Sequence, residues 1–235
     1  MSNLAVITAR GGSKRIPDKN IKKFLGKPII AYSIEKALQS GIFDEVMVST
    51  DSGEIANIAR RYGAKVPFMR SAQTANDYAT TEDVIVEVLQ QYKKLGKNFE
   101  YVACLYPTAP FVKVEWIKEG LNLIQQPGAD MLMTVVKFSF PPQRGMIKEG
   151  MFVKYKWPEH RASRSQDLEA FYHDVGQFYY YDAKVLVQKK GIIEDGIVAF
   201  EVNEADVQDI DTYDDWKIAE MKYRLLQEME KKDEE

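Results

Sequence analysis

The chain has 235 residues, 45% hydrophobic and 29% charged, which suits one large globular domain and excludes a disordered or fibrous chain. One cysteine excludes a disulfide framework, two histidines exclude a Cys/His zinc cage, and no apolar run approaches the roughly 20 residues of a membrane helix. Net charge is −3, but residues 1–27 hold seven basic side chains against Asp18, so a +6 stretch precedes a body of −9. That concentration points to a localised anion site rather than to a surface that coats nucleic acid, with a solvated charged face as the plainer alternative. No charged leader precedes the first apolar run and no cleavage signal follows it, so a cytoplasmic location is expected.

In chain order, Leu4 to Ala9 is a short β-branched run that reads as a buried strand. After a basic loop, Pro28 opens a helix over Ile29–Gln39, with Gly41 as its carboxyl-terminal cap. Glu45–Thr50 reads as a strand, Ser52–Tyr62 as a helix closed by Gly63, Lys65–Met69 as a third strand, and Thr81–Lys94 as a helix. Strands at Tyr101–Tyr106 and Asp130–Val136 flank a helix from Val114 to about Gln125. Such alternation predicts an open, mostly parallel α/β sheet. The rhythm fails over residues 137–172, where Phe138 to Pro142 breaks it and a hairpin, Met146–Tyr155, turns at Glu149-Gly150. This stretch reads as an insertion too small for a domain of its own, leaving 1–136 and 173–235 as the α/β body. Strands resume at Gln177–Tyr181 and Ile197–Val202. A final helix from Tyr213 to about Met229 carries Trp216, Ala219, Tyr223 and Leu226 on one face, and the 231–235 tail is expected to fray.

The first strand ends in Ala9-Arg10-Gly11-Gly12-Ser13-Lys14-Arg15-Ile16-Pro17, followed by Lys19-Asn20. Ligands of open α/β sheets bind beyond the carboxyl ends of strands, where this loop lies. Adjacent glycines allow a tight turn that brings N–H groups to an anion, and Arg10, Lys14, Arg15 and Lys19 can surround several phosphates. It is neither a Walker A loop nor a Gly-x-Gly-x-x-Gly fingerprint: Pro28 follows Gly26-Lys27 where a Ser/Thr belongs. Near the other end stands Asp209-Ile210-Asp211-Thr212, then Asp214 and Asp215. On an extended chain Asp209 and Asp211 point to one side with Cα atoms roughly 6–7 Å apart, within reach of one hard cation such as magnesium. The other reading makes them the start of the last helix. Cys104, mid-strand, reads as an inert core residue.

The run Ala9-Arg10-Gly11-Gly12-Ser13-Lys14-x-Ile16-Pro17-x-Lys19-Asn20 resembles the entrance motif of the acylneuraminate cytidylyltransferases, which activate nine-carbon sugar acids as CMP conjugates. The resemblance extends from Ile7 to about Ala219 and implies a three-layer, Rossmann-like sheet of the nucleotide-diphospho-sugar transferase type. By it, Arg10, Gly11, Gly12, Ser13, Lys14, Lys19 and Asn20 bind the CTP base and triphosphate, and Asp209 and Asp211 are the Mg2+ ligands. Arg70 faces the cytosine and Thr81 lies near the nucleotide, although Ser71 replaces the family's proline and Thr80 or Thr81 is equally a plain helix cap. Leu105-Tyr106-Pro107-Thr108-Ala109-Pro110 is similar to a Leu-Gln-Pro-Thr-Ser-Pro turn whose glutamine holds the sugar; Tyr106 departs from it. Arg164, His173, Gln177 and Tyr179 fall in register with the sugar-binding segments. Arg164 suits a carboxylate, and His173 reads equally as a structural histidine. The wording around His173 and Tyr106 is most similar to the pseudaminic acid branch.

What this resemblance implies is transfer of CMP from CTP to a nonulosonic acid, with release of pyrophosphate. Arg10, Lys14, Lys19 and Asp211 would carry the chemistry, with no side chain standing out as general base. It also implies a homodimer formed through the insertion, and no nucleic-acid or membrane partner. Sialic acid, legionaminic acid and 3-deoxy-manno-octulosonate enzymes share the CTP half, with Tyr106, His173 and Gln177 as discriminators. A non-catalytic anion-binding module would need the basic loop but not the aspartates.

Overall fold

A computed structural model describes residues 2–233. Strand β1 (Asn3–Thr8) is almost wholly buried and runs into the basic loop. A short 3₁₀ turn at Lys19–Ile21 leads into a two-residue hairpin, β2 (Lys23–Phe24) and β3 (Lys27–Pro28). Its turn residues Leu25 and Gly26 both have positive φ, as a tight right-twisting hairpin requires. Helix α1 (Ile29–Ser40) follows Pro28 directly and stops at Gly41, whose φ of 67° is the left-handed cap conformation. Then come β4 (Glu45–Ser49), α2 (Gly53–Arg61) capped by Ser52, and α3 (Thr81–Lys94). Thr80 and Asp83 form a reciprocal capping box at the start of α3, with Asp83 N donating to Thr80 Oγ1 and Thr80 N to Asp83 Oδ2.

β5 (Tyr101–Leu105), α4 (Val114–Ile124) and β6 (Met131–Lys137) continue the alternation. The insertion carries the hairpin β7 (Met146–Glu149) and β8 (Phe152–Tyr155), every residue of it exposed except Tyr155. After it come β9 (Tyr172–Asp182), α5 (Ala183–Gln188), β10 (Ile197–Glu201) and α6 (Tyr213–Asp233). The main sheet has the order β10-β6-β9-β5-β1-β4. Only β9 runs antiparallel to its neighbours, so the sheet is mostly parallel and the fold is α/β. No helix among the described residues is long and apolar enough to cross a membrane.

Two expectations need correction. No strand forms at Lys65–Met69: Lys65 alone bridges Met47, because Pro67 has no N–H to extend the ladder. β9 begins five residues before the expected Gln177, and Gly176 at φ 58° lies where its pairing with β6 shifts register. The expected fraying of 231–235 concerns in part residues 234 and 235, which lie outside the described residues; the backbone is helical to Asp233.

Three apolar clusters hold these layers. Ala5, Ile7, Val48 and Leu105 face α1, α2 and α4 through Ile34, Ala59 and Leu121. On the opposite sheet face, Leu4, Val6 and Cys104 pack against α3 and α5 through Ile85, Leu89 and Leu186. The third cluster positions the site. Ile16 of the basic loop, Phe24, Tyr32, Ile210, Trp216 and Ala219 pack together, with Tyr223 and Leu226 against them. Burying a Leu- or Ile-sized side chain contributes about 1.5–3 kcal/mol. Burial of Ile16 with Ile210 therefore draws the amino-terminal loop and the Asp-Ile-Asp segment into contact.

Candidate active site

Asn20 is buried and its side-chain amide donates to the Arg10 carbonyl at 2.9 Å, fixing the basic loop from inside. The glycines act differently from the expectation. Gly11 and Gly12 have no left-handed φ and do not line the adjoining cavity. The Gly11 N–H is already bonded to Asp51 Oδ1 at 2.8 Å, and a Cβ there would come within 3.2 Å of Ser52 Cβ. Gly11 thus serves close packing of the loop on the β4–α2 turn. Gly12 has open space around it.

A cavity of about 480 Å³ lies at the carboxyl ends of β1 and β5. Arg10, Ser13, Lys14, Arg15, Lys19 and Asn20 line one side. The loop before α3 faces them, and Asp77 bonds Arg10 Nη1 at 2.6 Å and Lys14 Nζ at 2.5 Å. Lys14 and then Arg10 hold the Asp77 carboxyl below the usual carboxylate range. Arg15 Nη1 reaches Asp211 Oδ2 at 2.7 Å, and Lys19 Nζ lies 2.7 Å from the Ile210 carbonyl and 3.5 Å from Asp211 Oδ1. The basic loop and the Asp-Ile-Asp segment, almost two hundred positions apart, therefore meet through Arg15 and Lys19 at the edge of this cavity, although neither Asp209 nor Asp211 lines it.

Capping of α6 falls to other residues. Asp215 accepts from Thr212 N at 2.7 Å and Asp211 N at 3.2 Å, while Asp215 N donates to Thr212 Oγ1. Hydrogen bonds from Thr212 lower the Asp215 pKa. Asp209 and Asp211 keep their side chains for other work. Crowding by protein raises the Asp209 pKa, and the charge of Asp211 adds to the rise, although Asp209 stays in contact with solvent. A divalent cation would relieve that repulsion. Among the described residues no group of three or more His, Cys, Asp or Glu gathers as a metal cage. Two carboxylates beside a phosphate-sized basic cleft fit magnesium, which takes one or two carboxylates and completes its shell with phosphate oxygens and water.

At the far side of the cavity Arg70 is buried and fixed by Ser49, to whose Oγ Nε donates at 3.1 Å and to whose carbonyl Nη2 donates at 2.7 Å. Burial lowers its pKa. Thr80 takes the cap of α3, which frees the Thr81 hydroxyl to pair with Tyr106 OH at 2.9 Å. Tyr106 also lines a second cavity of about 420 Å³ with His173, Asp174, Tyr179, Asp209 and Lys222. Its ring lies 5.3 Å from that of Tyr179, whose hydroxyl donates to Asp174. His173 is exposed, with Nδ1 2.9 Å from the Asp174 carbonyl and its ring 4.6 Å from Phe138.

Two residues expected at the sugar are not at either cavity. Gln177 is buried beside Tyr106, whose N–H it accepts through its backbone carbonyl, and its Oε1 has no partner. Arg164 stands in the insertion, exposed and doubly bonded to Asp167 at 2.7 and 3.1 Å. Asp51, Glu204 and Lys222 carry no sequence signal. Each reaches the site through a turn or a helix face that only the fold defines. Cys104 is fully buried and its thiol is pushed up to about 12, so it is no nucleophile.

A family profile described as Cytidylyltransferase matches residues 4–185. The chain is 40% identical to a pseudaminic acid cytidylyltransferase of Campylobacter jejuni subsp. jejuni, over 97% of this chain and 99% of that protein. It is 35% identical to a CMP-N,N'-diacetyllegionaminic acid synthase of Legionella pneumophila subsp. pneumophila, over the same shares. Among solved structures, a CMP:2-keto-3-deoxy-manno-octonic acid synthetase complexed with CTP superposes with a TM-score of 0.70 at 21% identity, covering 97% of this chain and all of that one. That last likeness concerns the fold alone.

Proposed function

The chain belongs to the cytidylyltransferase family, and from that premise we propose that it activates a nonulosonic acid, pseudaminic acid first among them, with CTP. The products are the CMP-sugar and pyrophosphate. The observation that carries this reading is the direct contact of Arg15 and Lys19 with the Asp-Ile-Asp segment beside the cavity. A phosphate chain there meets cations from one end of the protein and metal-binding oxygens from the other.

In this reading the anomeric hydroxyl of the sugar acid attacks the α-phosphorus of CTP. A C–O–P bond forms, the bond between the α-phosphorus and the bridging oxygen breaks, and pyrophosphate departs while the hydroxyl proton leaves to solvent. Such a transfer depends on positioning and charge neutralisation more than on covalent chemistry. Arg10, Lys14 and Lys19 grip the triphosphate and balance charge on the leaving group. Ser13 and Asn20 shape the loop around it, and Arg70 and Thr81 border the nucleoside end. Asp209 and Asp211 would hold Mg2+, which would supply polarisation of the α-phosphate and neutralisation of charge on its oxygens. Tyr106, His173 and Tyr179 form the sugar side. Arg164, exposed on the insertion, enters only if a second copy brings it near.

A homodimer through the insertion belongs to the same proposal. Phe140, Met151, Phe152 and Val153 expose apolar surface there that a second copy would cover. So does a cytoplasmic location, where CTP is available. The 35% identity to a legionaminic acid synthase favours that sugar as the second candidate. Pyrophosphate release with CTP, Mg2+ and a panel of nonulosonic acids tests the reading. Turnover fastest with pseudaminic acid supports it, turnover with another member moves the sugar assignment, and no release with any acid removes the activity.

A further inference from the structure

Resting on the reading above, the second cavity has a charge problem. Its substrate is an acid, yet Asp174, Glu204 and Asp209 all line it. A carboxylate brought among three others is strongly disfavoured unless a cation meets it. Arg164, the residue whose chemistry suits that task, is not there. Among the described lining residues Lys222 is the single lysine or arginine.

Lys222 is also prepared for an anion. Helix α6 is fixed by Trp216 and Ala219 in the third apolar cluster, so the stem of Lys222 starts from a rigid base. Its Nζ donates to the Val207 carbonyl at 2.9 Å and to the Glu204 carbonyl at 3.2 Å. Two neutral acceptors orient the ammonium without neutralising it, and an ammonium has three donors. One N–H and the full charge remain. The neighbouring acids are spoken for differently: Asp174 accepts the Tyr179 hydroxyl at 2.7–2.8 Å, and Asp209 is one of the two carboxylates proposed above for the metal.

The structure assigns Lys222, in our inference, as the ammonium that receives the carboxylate of the sugar acid and thereby selects acids over neutral sugars. The test compares wild type with Lys222→Met, using the sugar acid and its C1 carboxamide as alternative substrates, with sugar binding measured calorimetrically beside turnover. In Lys222→Met the KM and the dissociation constant for the acid rise at least tenfold, the KM for CTP stays within twofold, and the preference for acid over carboxamide collapses. Lys222→Arg, which keeps the charge, retains the preference. A merely structural role in holding the 204–207 turn would lower thermal stability and leave the preference intact, and that result overturns the assignment. It is equally overturned if Arg164→Ala abolishes the preference while Lys222→Met retains it. If wild type turns over the acid and only the Lys222 outcome fails, the cytidylyltransferase reading stands. Should wild type neither bind nor turn over any sugar acid, both fall together.

Discussion

Asp77 occupies the place of a ligand. Its two oxygens bond Arg10 and Lys14, the cations proposed to take the triphosphate, so nucleotide entry has to displace it. All three side chains are open to solvent, where such pairs are weak and readily exchanged. Asp77→Asn is expected to lower the KM for CTP about two- to fivefold, within the range of weak exposed ion pairs; an unchanged KM means Asp77 does not compete. Lys14→Ala is expected to lose at least about tenfold in kcat/KM, roughly 1.4 kcal/mol of transition-state stabilisation, and an unchanged rate removes Lys14 from the site. Asp211→Ala is expected to abolish turnover while CTP still binds weakly, with full activity in Mg2+ as the contrary result. These cations and carboxylates could be singled out in the sequence by charge type, spacing and the resemblance of their motifs. The partners they take in the absence of substrate could not, since Asp77 lies 67 positions from Arg10 and pairs with it only through the fold.

Among elements, the caps were the most legible. Gly41, Thr80 with Asp83, and Ser52 declare helix ends through local chemistry alone. Lys65–Met69 misled because apolar Val66, Phe68 and Met69 outweighed Pro67, and β9 because its first half is polar. Two element-level contacts make predictions. Gly120 on α4 faces β9, where a Cβ would approach Tyr180 Cε2 to 2.8 Å and Phe178 Cε2 to 3.0 Å. Alanine normally favours a helix over glycine, but here overpacking prevails, so Gly120→Ala is expected to destabilise by about 1–3 kcal/mol in chemical denaturation. A stabilised variant would mean α4 can shift.

Glu45 ties β4 to α3 and its neighbours. Tyr92 OH donates to it at 2.5 Å, Lys97 Nζ at 2.5 Å and Lys65 Nζ at 3.1 Å. Desolvation alone would raise its pKa, but the hydrogen bonds from Lys97, Tyr92 and Lys65 together hold it below its ordinary 4.5. A carboxyl with a depressed folded-state pKa contributes stability that is present above the unfolded value and lost as pH falls through the folded one. Glu45→Gln is therefore expected to cost about 2 kcal/mol at neutral pH and to flatten the stability curve below about pH 4.5. Equal acid limbs in both proteins would contradict this.

At the scale of the molecule, the helix α6 returns the carboxyl end to the amino-terminal loop, and the burial of Ile16 with Ile210 holds the two halves of the site in register. The alternation of strands and helices announced the α/β sheet, and the motif wording announced the family. Neither announced that Gln177 is buried or that Arg164 stands out on the insertion, because motif register fixes position along the chain and not the direction in which a side chain points. The exposed hairpin makes a further prediction: light scattering at micromolar concentration is expected to give the mass of a dimer, and Phe152→Glu that of a monomer, while a monomeric wild type would contradict the proposal. The whole account depends on one nucleotide being held from both ends of the chain. A crystal structure with CTP and Mg2+ tests that directly. The account predicts triphosphate oxygens within hydrogen-bond reach of Lys14 and Lys19, Asp77 released, and the metal in contact with Asp211. A nucleotide bound outside this cavity, or a triphosphate directed away from Asp211, would contradict it.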